Sequence, residues 1–318
     1  MSGNSPEIVA LGEAMIELLS DEPLEVASTF RKSYAGDTLN MLHMATKLGT
    51  TCGYVTRLAT DPFADYLMAE WDRSGIDTRA VRRVAGFTGM HFISLRPDGD
   101  REFLFYRKGS AASTMTPDDL DHDYIAGARV LHVSGILQAV SPNCRETVLH
   151  AAQSARRQGV TVSYDTNLRA NMWSGAEARE AMDEVLPYVD IVFPSHPEET
   201  EALIGPLSPQ GVIDFFLERG AGTVAVSQGE NGATAGSADG VFQANPISPM
   251  GVADTAGAGD AFVGGFLHRM LQGGGADDGL RWGIASAGLK VASRGAIAGQ
   301  PTRADVERLV DSVEVRTA

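Results

Sequence analysis

The chain has 318 residues, enough for one large α/β domain or two smaller ones, and its 43% hydrophobic and 21% charged residues are ordinary for a globular protein. Its 41 acidic residues outnumber 26 basic ones, for a net charge of −15, which argues against nucleic acid or an anionic membrane as the main partner. No apolar stretch reaches the roughly 18 residues of a membrane span and no basic leader opens the chain, so the expectation is a cytoplasmic protein. A small anionic substrate remains compatible with this charge, because a few arginines can reverse the field inside a pocket. Cys52 and Cys144 lack any metal-binding or redox spacing and read as buried, unpaired thiols.

Along the chain, short β-rich runs recur: "EIVALG", "CGYVTRL", "ARVLHVSG", "VTVSYD", "DIVFPS" and "GTVAVSQG". Segments with helical spacing lie between most of them, at residues 38–48, 63–73, 142–157, 176–186 and 208–218. Regular strand–helix alternation predicts a mostly parallel sheet covered by helices on both faces, in one principal domain. Two segments, about 14–35 and 86–109, read as strands without helices. In the second, "PDGD" between alternating runs marks a turn and predicts a β-hairpin over residues 87–107. Such insertions suit a lid, or a surface excursion.

Near the C-terminus stands "DTAGAGDAFVGGFL". Phe262, Val263, Phe266, Leu267, Met270 and Leu271 follow at the spacing of one helix face, so the preceding glycines form the turn that enters a helix. The free N–H groups and dipole of such a terminus hold negative charge. A carboxylate at this point, Asp260, would repel a bound phosphate unless it faces a hydroxyl that must lose its proton. Asp260 is then a general base, and the amides of Gly257, Ala258 and Gly259 hold the phosphoryl group as charge builds on it. The plainer alternative is Asp260 as a helix cap.

The full stretch closely resembles the C-terminal signature of the ribokinase/PfkB family of carbohydrate kinases. "AGDTLNMLHMATKLG" resembles the family's N-terminal signature, with Gly36, Asp37 and Asn40 at its fixed places. The resemblance spans the chain and implies a ribokinase-like α/β fold with a β-lid that often dimerises, and ATP- and Mg²⁺-dependent phosphorylation of a sugar hydroxyl. It implies substrate contacts from Gly36, Asp37 and Asn40, although Asp37 also suits a helix cap. It places Asp254 either in a turn or at the nucleotide or a monovalent cation. "FPSHPEE" resembles the family's Asn-x-x-Glu element, with Ser195 in place of Asn and Glu198 holding Mg²⁺ through water; Glu199 reads as an exposed helical acid. "SQGENGA" resembles a segment near the triphosphate, with Gly229 and Gly232 in place and Ser227 where a basic residue is common.

"GEAMIEL", "AGDTLN", "YRKGSA" and "YDTNLRANMW" together resemble the 2-keto-3-deoxygluconate kinase branch, whose sugar-acid substrate needs a cation for its carboxylate. Arg107 and Arg169 match that branch, and a guanidinium fork suits a carboxylate. His91 and Phe105 stand at lid positions where the branch commonly has tyrosines. A neutral-sugar kinase of fructokinase type is the alternative, and a catalytically silent sugar-binding protein a more distant one. A dinucleotide oxidoreductase is excluded, because the glycines come late and do not form G-x-G-x-x-G.

Overall fold

The computed structural model describes residues 5–95 and 101–318. Fourteen strands are defined among them: β1 Ile8–Leu11, β2 Met15–Leu19, β3 Arg31–Ala35, β4 Cys52–Ala59, β5 Val81–Val84, β6 Met90–Leu95, β7 Arg101–Tyr106, β8 Val130–Ser134, β9 Thr161–Asp165, β10 Ile191–Phe193, β11 Thr223–Ser227, β12 Ala233–Ser237, β13 Gly240–Ala244 and β14 Val315–Thr317. They form two sheets. The larger runs β14-β13-β12-β11-β10-β9-β8-β1-β4-β5, parallel from β5 to β11 and antiparallel beyond.

The six β-rich runs become β1, β4, β8, β9, β10 and β11, which are consecutive in space apart from their order. In β1, Ile8 and Ala10 enter one apolar core while Val9 and Leu11 enter another, so the strand is buried on both faces. That is the pattern of a parallel strand sandwiched between helices. The five expected helices are present at Asp37–Leu48, Pro62–Ser74, Pro142–Arg157, Gly175–Val185 and Pro209–Leu217. Cys52 and Cys144 are buried and unpaired, and burial pushes their thiols up to about 12 and about 11. Among the described residues no helix is long and apolar enough to cross a membrane.

The smaller sheet has the order β3-β2-β6-β7, and its strands fall within the two segments that interrupt the alternation. β6 and β7 pair antiparallel as expected of a hairpin, with His91 opposite Phe105; the "PDGD" turn lies outside the described residues. The sheet is attached along one edge, through residues 12–14, 36, 85–89 and 107–111. These four connections are also where the larger sheet's helices and strands begin or end, so the small sheet is set beside the carboxyl end of β1. In open α/β sheets that end carries the ligands.

Candidate active site

The glycine-rich stretch is the entry to the helix Ala258–Leu271. Gly257 has φ 76°, a left-handed conformation, and a Cβ there would lie 2.9 Å from the Ala296 Cβ. Glycine is therefore required both by the backbone and by the neighbouring loop. Gly264 and Gly265, costly in a helix interior by about 1 kcal/mol each, are explained by close approach of other elements. A Cβ on Gly264 would meet the Met41 carbonyl at 2.8 Å, and one on Gly265 would meet that of Trp282 at 2.6 Å. The helix is wedged between Asp37–Leu48 and Ala276–Lys290.

That wedge brings Asp260 to Asn40, which donates from Nδ2 to Asp260 Oδ2 at 2.7 Å across 220 residues of sequence. The carboxylate thus turns to another helix instead of capping its own. Burial, then repulsion from Asp37, push Asp260 up to about 7, against the Asn40 hydrogen bond and the charges of Arg169 and Lys290. A base poised near neutrality is suited to accept a hydroxyl proton. Of the amides expected to hold phosphate, Ala258 already donates its N–H to the Thr255 carbonyl at 3.1 Å. Those of Gly257 and Gly259 have no acceptor among the described residues.

Further acids converge from the carboxyl ends of β9 and β10. Asp165 is raised well above the usual carboxylate range by burial and by repulsion from Glu199, Asp260 and Asp37. Glu199 is also raised, by burial, although Thr166 Oγ1, the Leu168 N–H (2.8 Å) and the Ser195 N–H (3.0 Å) donate to it. Here the structure departs from the sequence reading. Glu198 is exposed at the start of the helix Glu198–Ile204, and the acid that turns inward is Glu199. Asn167, at φ 37°, donates to Asp37 at 3.3 Å. Glu199, read from sequence as an exposed helical acid, is instead partly buried against Thr166, Leu168 and Ser195, and Asp165 and Asn167 were not singled out from sequence, although "DTN" beside Arg169 was the available signal.

Arg169 donates to the Leu168 carbonyl at 3.2 Å and has no ion-pair partner among the described residues. Its charge nonetheless reaches Asp165, Glu199 and Asp260, lowering each. Arg107 differs: it forms an ion pair with Glu13 and points Nη1 at the Met172 sulfur, 3.2 Å away. Glu13 is buried, and burial raises its pKa despite Arg107. On the same face of the small sheet, His91 Nε2 is 3.2 Å from Glu17, and the His91 ring stacks on Phe105 with centroids 5.4 Å apart. Asn40 Oδ1, His91 Nδ1 and Arg107 Nε are buried without a partner among the described residues. Gly36 has no room for a side chain, since a Cβ would lie 2.2 Å from the Glu13 carbonyl.

The remaining sequence-derived positions form a neighbouring group. Ser195 and Ser227 lie side by side at the ends of β10 and β11, Oγ to Oγ 2.9 Å, and Gly229 and Gly232 follow in a turn with φ 56° and 87°. Ser195 is linked to the acids through its N–H to Glu199. Asp254 accepts from Ala256 N–H at 2.9 Å and Gly295 N–H at 2.8 Å. Among the described residues no three acid, imidazole or thiol groups are arranged to hold a metal ion directly.

Along its length the chain is similar to known proteins. A 2-dehydro-3-deoxygluconokinase of Bacillus subtilis is 32% identical over 304 residues, covering 93% of each chain. Fructokinase-1 of Oryza sativa is 32% identical over 326 residues, 98% of this chain and 100% of its own. An E. coli protein described as a ribokinase II, solved with ATP and Mg²⁺, superposes with a TM-score of 0.89 at 26% identity, covering 96% of this chain and 99% of that one. The profile of the pfkB family carbohydrate kinases matches residues 5–303, and with the wedge-borne acid, the anion turn and the ribokinase-like sheet all in place the chain belongs to that family.

Proposed function

We propose that this ATP-dependent carbohydrate kinase phosphorylates the terminal hydroxyl of a sugar acid, with 2-keto-3-deoxygluconate as the substrate of choice. The observation that carries the reading is Arg169, a guanidinium without an ion-pair partner among the described residues whose charge reaches Asp260. In a pocket walled by Asp37, Asp165, Glu199 and Asp260, an anionic substrate needs such a cation. Identity to the B. subtilis sugar-acid kinase supports the same choice.

Gly36, whose missing side chain lets the chain pass against the Glu13 carbonyl, brings its backbone to the polyol, while Asp37 and Asn40 bind neighbouring hydroxyls; the unpartnered Asn40 Oδ1 is available to accept from one. Asn40 also holds Asp260 in place to take the proton as the hydroxyl oxygen bonds to the γ-phosphorus and the bond to ADP breaks. The N–H groups of Gly257 and Gly259 stabilise the charge gathering on the transferred group. Ser195, Ser227, Gly229 and Gly232 line the triphosphate, and Asp254 shapes the turn. Asp165, raised by burial and by repulsion from Glu199, Asp260 and Asp37, and Glu199, raised by burial, would hold a hydrated Mg²⁺, with Glu199 taking the place expected of Glu198. When bound, Mg²⁺ neutralises phosphate charge and orients the chain of phosphates.

Residues 14–35 and 86–109 act as a lid over the sugar. The lid face turned away from His91 carries Leu104 and the half-exposed Tyr106, and it is the surface through which a second copy would pair. A neutral-sugar kinase is the second reading, favoured by the neutralisation of Arg107 by Glu13 and by identity to the rice fructokinase. Purified protein with ATP and Mg²⁺, offered keto-deoxy acids, aldonic acids and neutral sugars and followed by ADP release, decides between them. Highest kcat/KM on a neutral sugar would overturn the sugar-acid reading.

A further inference from the structure

A buried lysine sits behind the anion turn. Lys290, the last residue of the helix Ala276–Lys290, is fully shielded from solvent. Its Nζ donates to the Asp254 carbonyl and to the Ser293 carbonyl, each at 3.1 Å. These oxygens belong to two different loops. One leads into the turn at Gly257, and the other leads to Ala296, which lies against Gly257. The loops are also joined by the Val291 carbonyl, which accepts from Ala253 and Asp254 N–H at 2.7 and 3.0 Å, and by Asp254 with Gly295.

Carbonyl oxygens from adjoining loops are what an alkali cation takes as ligands, and Asp254 is the residue for which the family resemblance raised a monovalent ion. The residues here do not fit one, because the space between the Asp254 and Ser293 carbonyls is filled by the Lys290 side chain. We propose that the Lys290 ammonium is a covalently tethered monovalent cation: it draws the two loops together, holds the anion turn in its phosphate-binding shape, and makes the kinase independent of K⁺ and Na⁺. Lys290 is thereby a positioning residue, acting on the phosphoryl group through the turn. The cost of removing an ammonium from water has to be offset by polar partners, and the two carbonyls contribute to that, which helps explain why a lysine is retained where an apolar side chain would bury more cheaply. Its charge also reaches Asp260 and lowers it, so the same ammonium helps keep the base ionised.

The proposal rests on the kinase reading, and the test separates the two. Wild-type protein is assayed with MgATP and its best sugar at matched ionic strength in potassium, sodium and tetramethylammonium chloride, with melting temperature recorded in each. No phosphorylation in any salt would defeat the kinase reading itself. Activity within about twofold across the salts, with no potassium-specific rise in melting temperature, is expected. Stimulation of several-fold by K⁺ over tetramethylammonium overturns the proposal. Lys290→Met should lower kcat by about ten- to a hundredfold, somewhat less than the roughly 10²–10³ of a donor touching the reacting oxygen, while KM for the sugar stays within about threefold. Lys290→Ala reopens the carbonyl site, and K⁺ should then raise both kcat and melting temperature where tetramethylammonium does not. Unchanged kcat in Lys290→Met, or no alkali-ion response of either quantity in Lys290→Ala, reduces the lysine to a packing residue. Should both variants fail to fold, the wild-type salt series still decides.

Discussion

The glycine turn before Asp260 and the small sheet are built differently. Around the turn, the helix Ala258–Leu271 is clamped by glycine contacts on both sides, and Asp254, Lys290 and Val291 tie the adjoining loops together. In the small sheet, Glu17 with His91 and Glu13 with Arg107 are paired, yet His91 Nδ1 and Arg107 Nε lack partners, and Phe103, Leu104, Phe105 and Tyr106 are exposed. The first region is braced largely backbone to backbone, leaving the Gly257 and Gly259 N–H groups and Asn40 Oδ1 without partners among the described residues; the second leaves ring and guanidinium nitrogens and apolar surface still to be satisfied. The difference suits a reaction in which charge stabilisation must be preorganised while substrate choice is made by a part that can adapt.

Changes in the braced region should therefore strike turnover, and the largest effect belongs to the base. Asp260→Asn keeps shape and the Asn40 contact but should cost about 10²–10⁴-fold in kcat with nucleotide binding retained; turnover within a few-fold of wild type would return Asp260 to a structural role. Next comes the cation for the substrate carboxylate. Arg169 is exposed in the free chain, so the loss of about 2–5 kcal/mol on truncating one member of a buried charge pair would apply to it only in the substrate-bound, water-excluded site. Roughly 3 kcal/mol lost in Arg169→Ala is more than a hundredfold in kcat/KM for a sugar acid, with a much smaller loss for a neutral sugar. Equal losses for both substrates would mean that Arg169 serves the acids around it and not the substrate.

Smaller effects sharpen the contrast. Glu199→Gln should reduce activity about 10–100-fold and raise the Mg²⁺ requirement, as outer-sphere partners do, whereas Glu198→Gln, on the exposed side of the same helix start, should stay within about twofold. The reverse order would restore Glu198. Because Asp260 must be ionised and its pKa is about 7, kcat/KM should rise with pH through a limb near neutrality. Asp37 is one of the groups that push this pKa up, so in Asp37→Asn the limb should move to lower pH even as sugar binding weakens; a shift to higher pH would contradict the arrangement. Finally, hydrogen exchange in β6 and β7 should slow when sugar binds, while the helix Ala258–Leu271 changes little. Equal protection gained by both would erase the distinction between the regions.

Much of this was legible from residue order. Short apolar runs alternating with segments of helical spacing pointed to the parallel sheet because tertiary packing here reinforces local preference, and the turn before Asp260 could be read from its glycines. Less legible were positions whose meaning comes from a distant partner. In "FPSHPEE" either acid could face inward, and only the path of the helix start decides for Glu199. Arg107 reads from sequence as suited to a substrate carboxylate, and nothing near it signals its ion pair with Glu13, 94 residues away. Lys290 lies in a stretch with ordinary helical composition, and nothing local shows that its amine ends between two carbonyls.

The attachment of the small sheet by one edge has a mechanical corollary. Each of its four connections contains glycine: Gly12, Gly36, Gly86 with Gly89, and Gly109. A Cβ on Gly12 or Gly36 would collide with Thr38 or the Glu13 carbonyl, whereas Gly86 and Gly109, at φ 135° and 79°, stand in open space. One side of the suspension is stiff and the other slack. A swing about that line carries the far ends of β6 and β7 through the widest arc and moves His91 and Arg107, close to the axis, the least. Such a swing would leave His91 and Arg107 at nearly the same distance from Asp260.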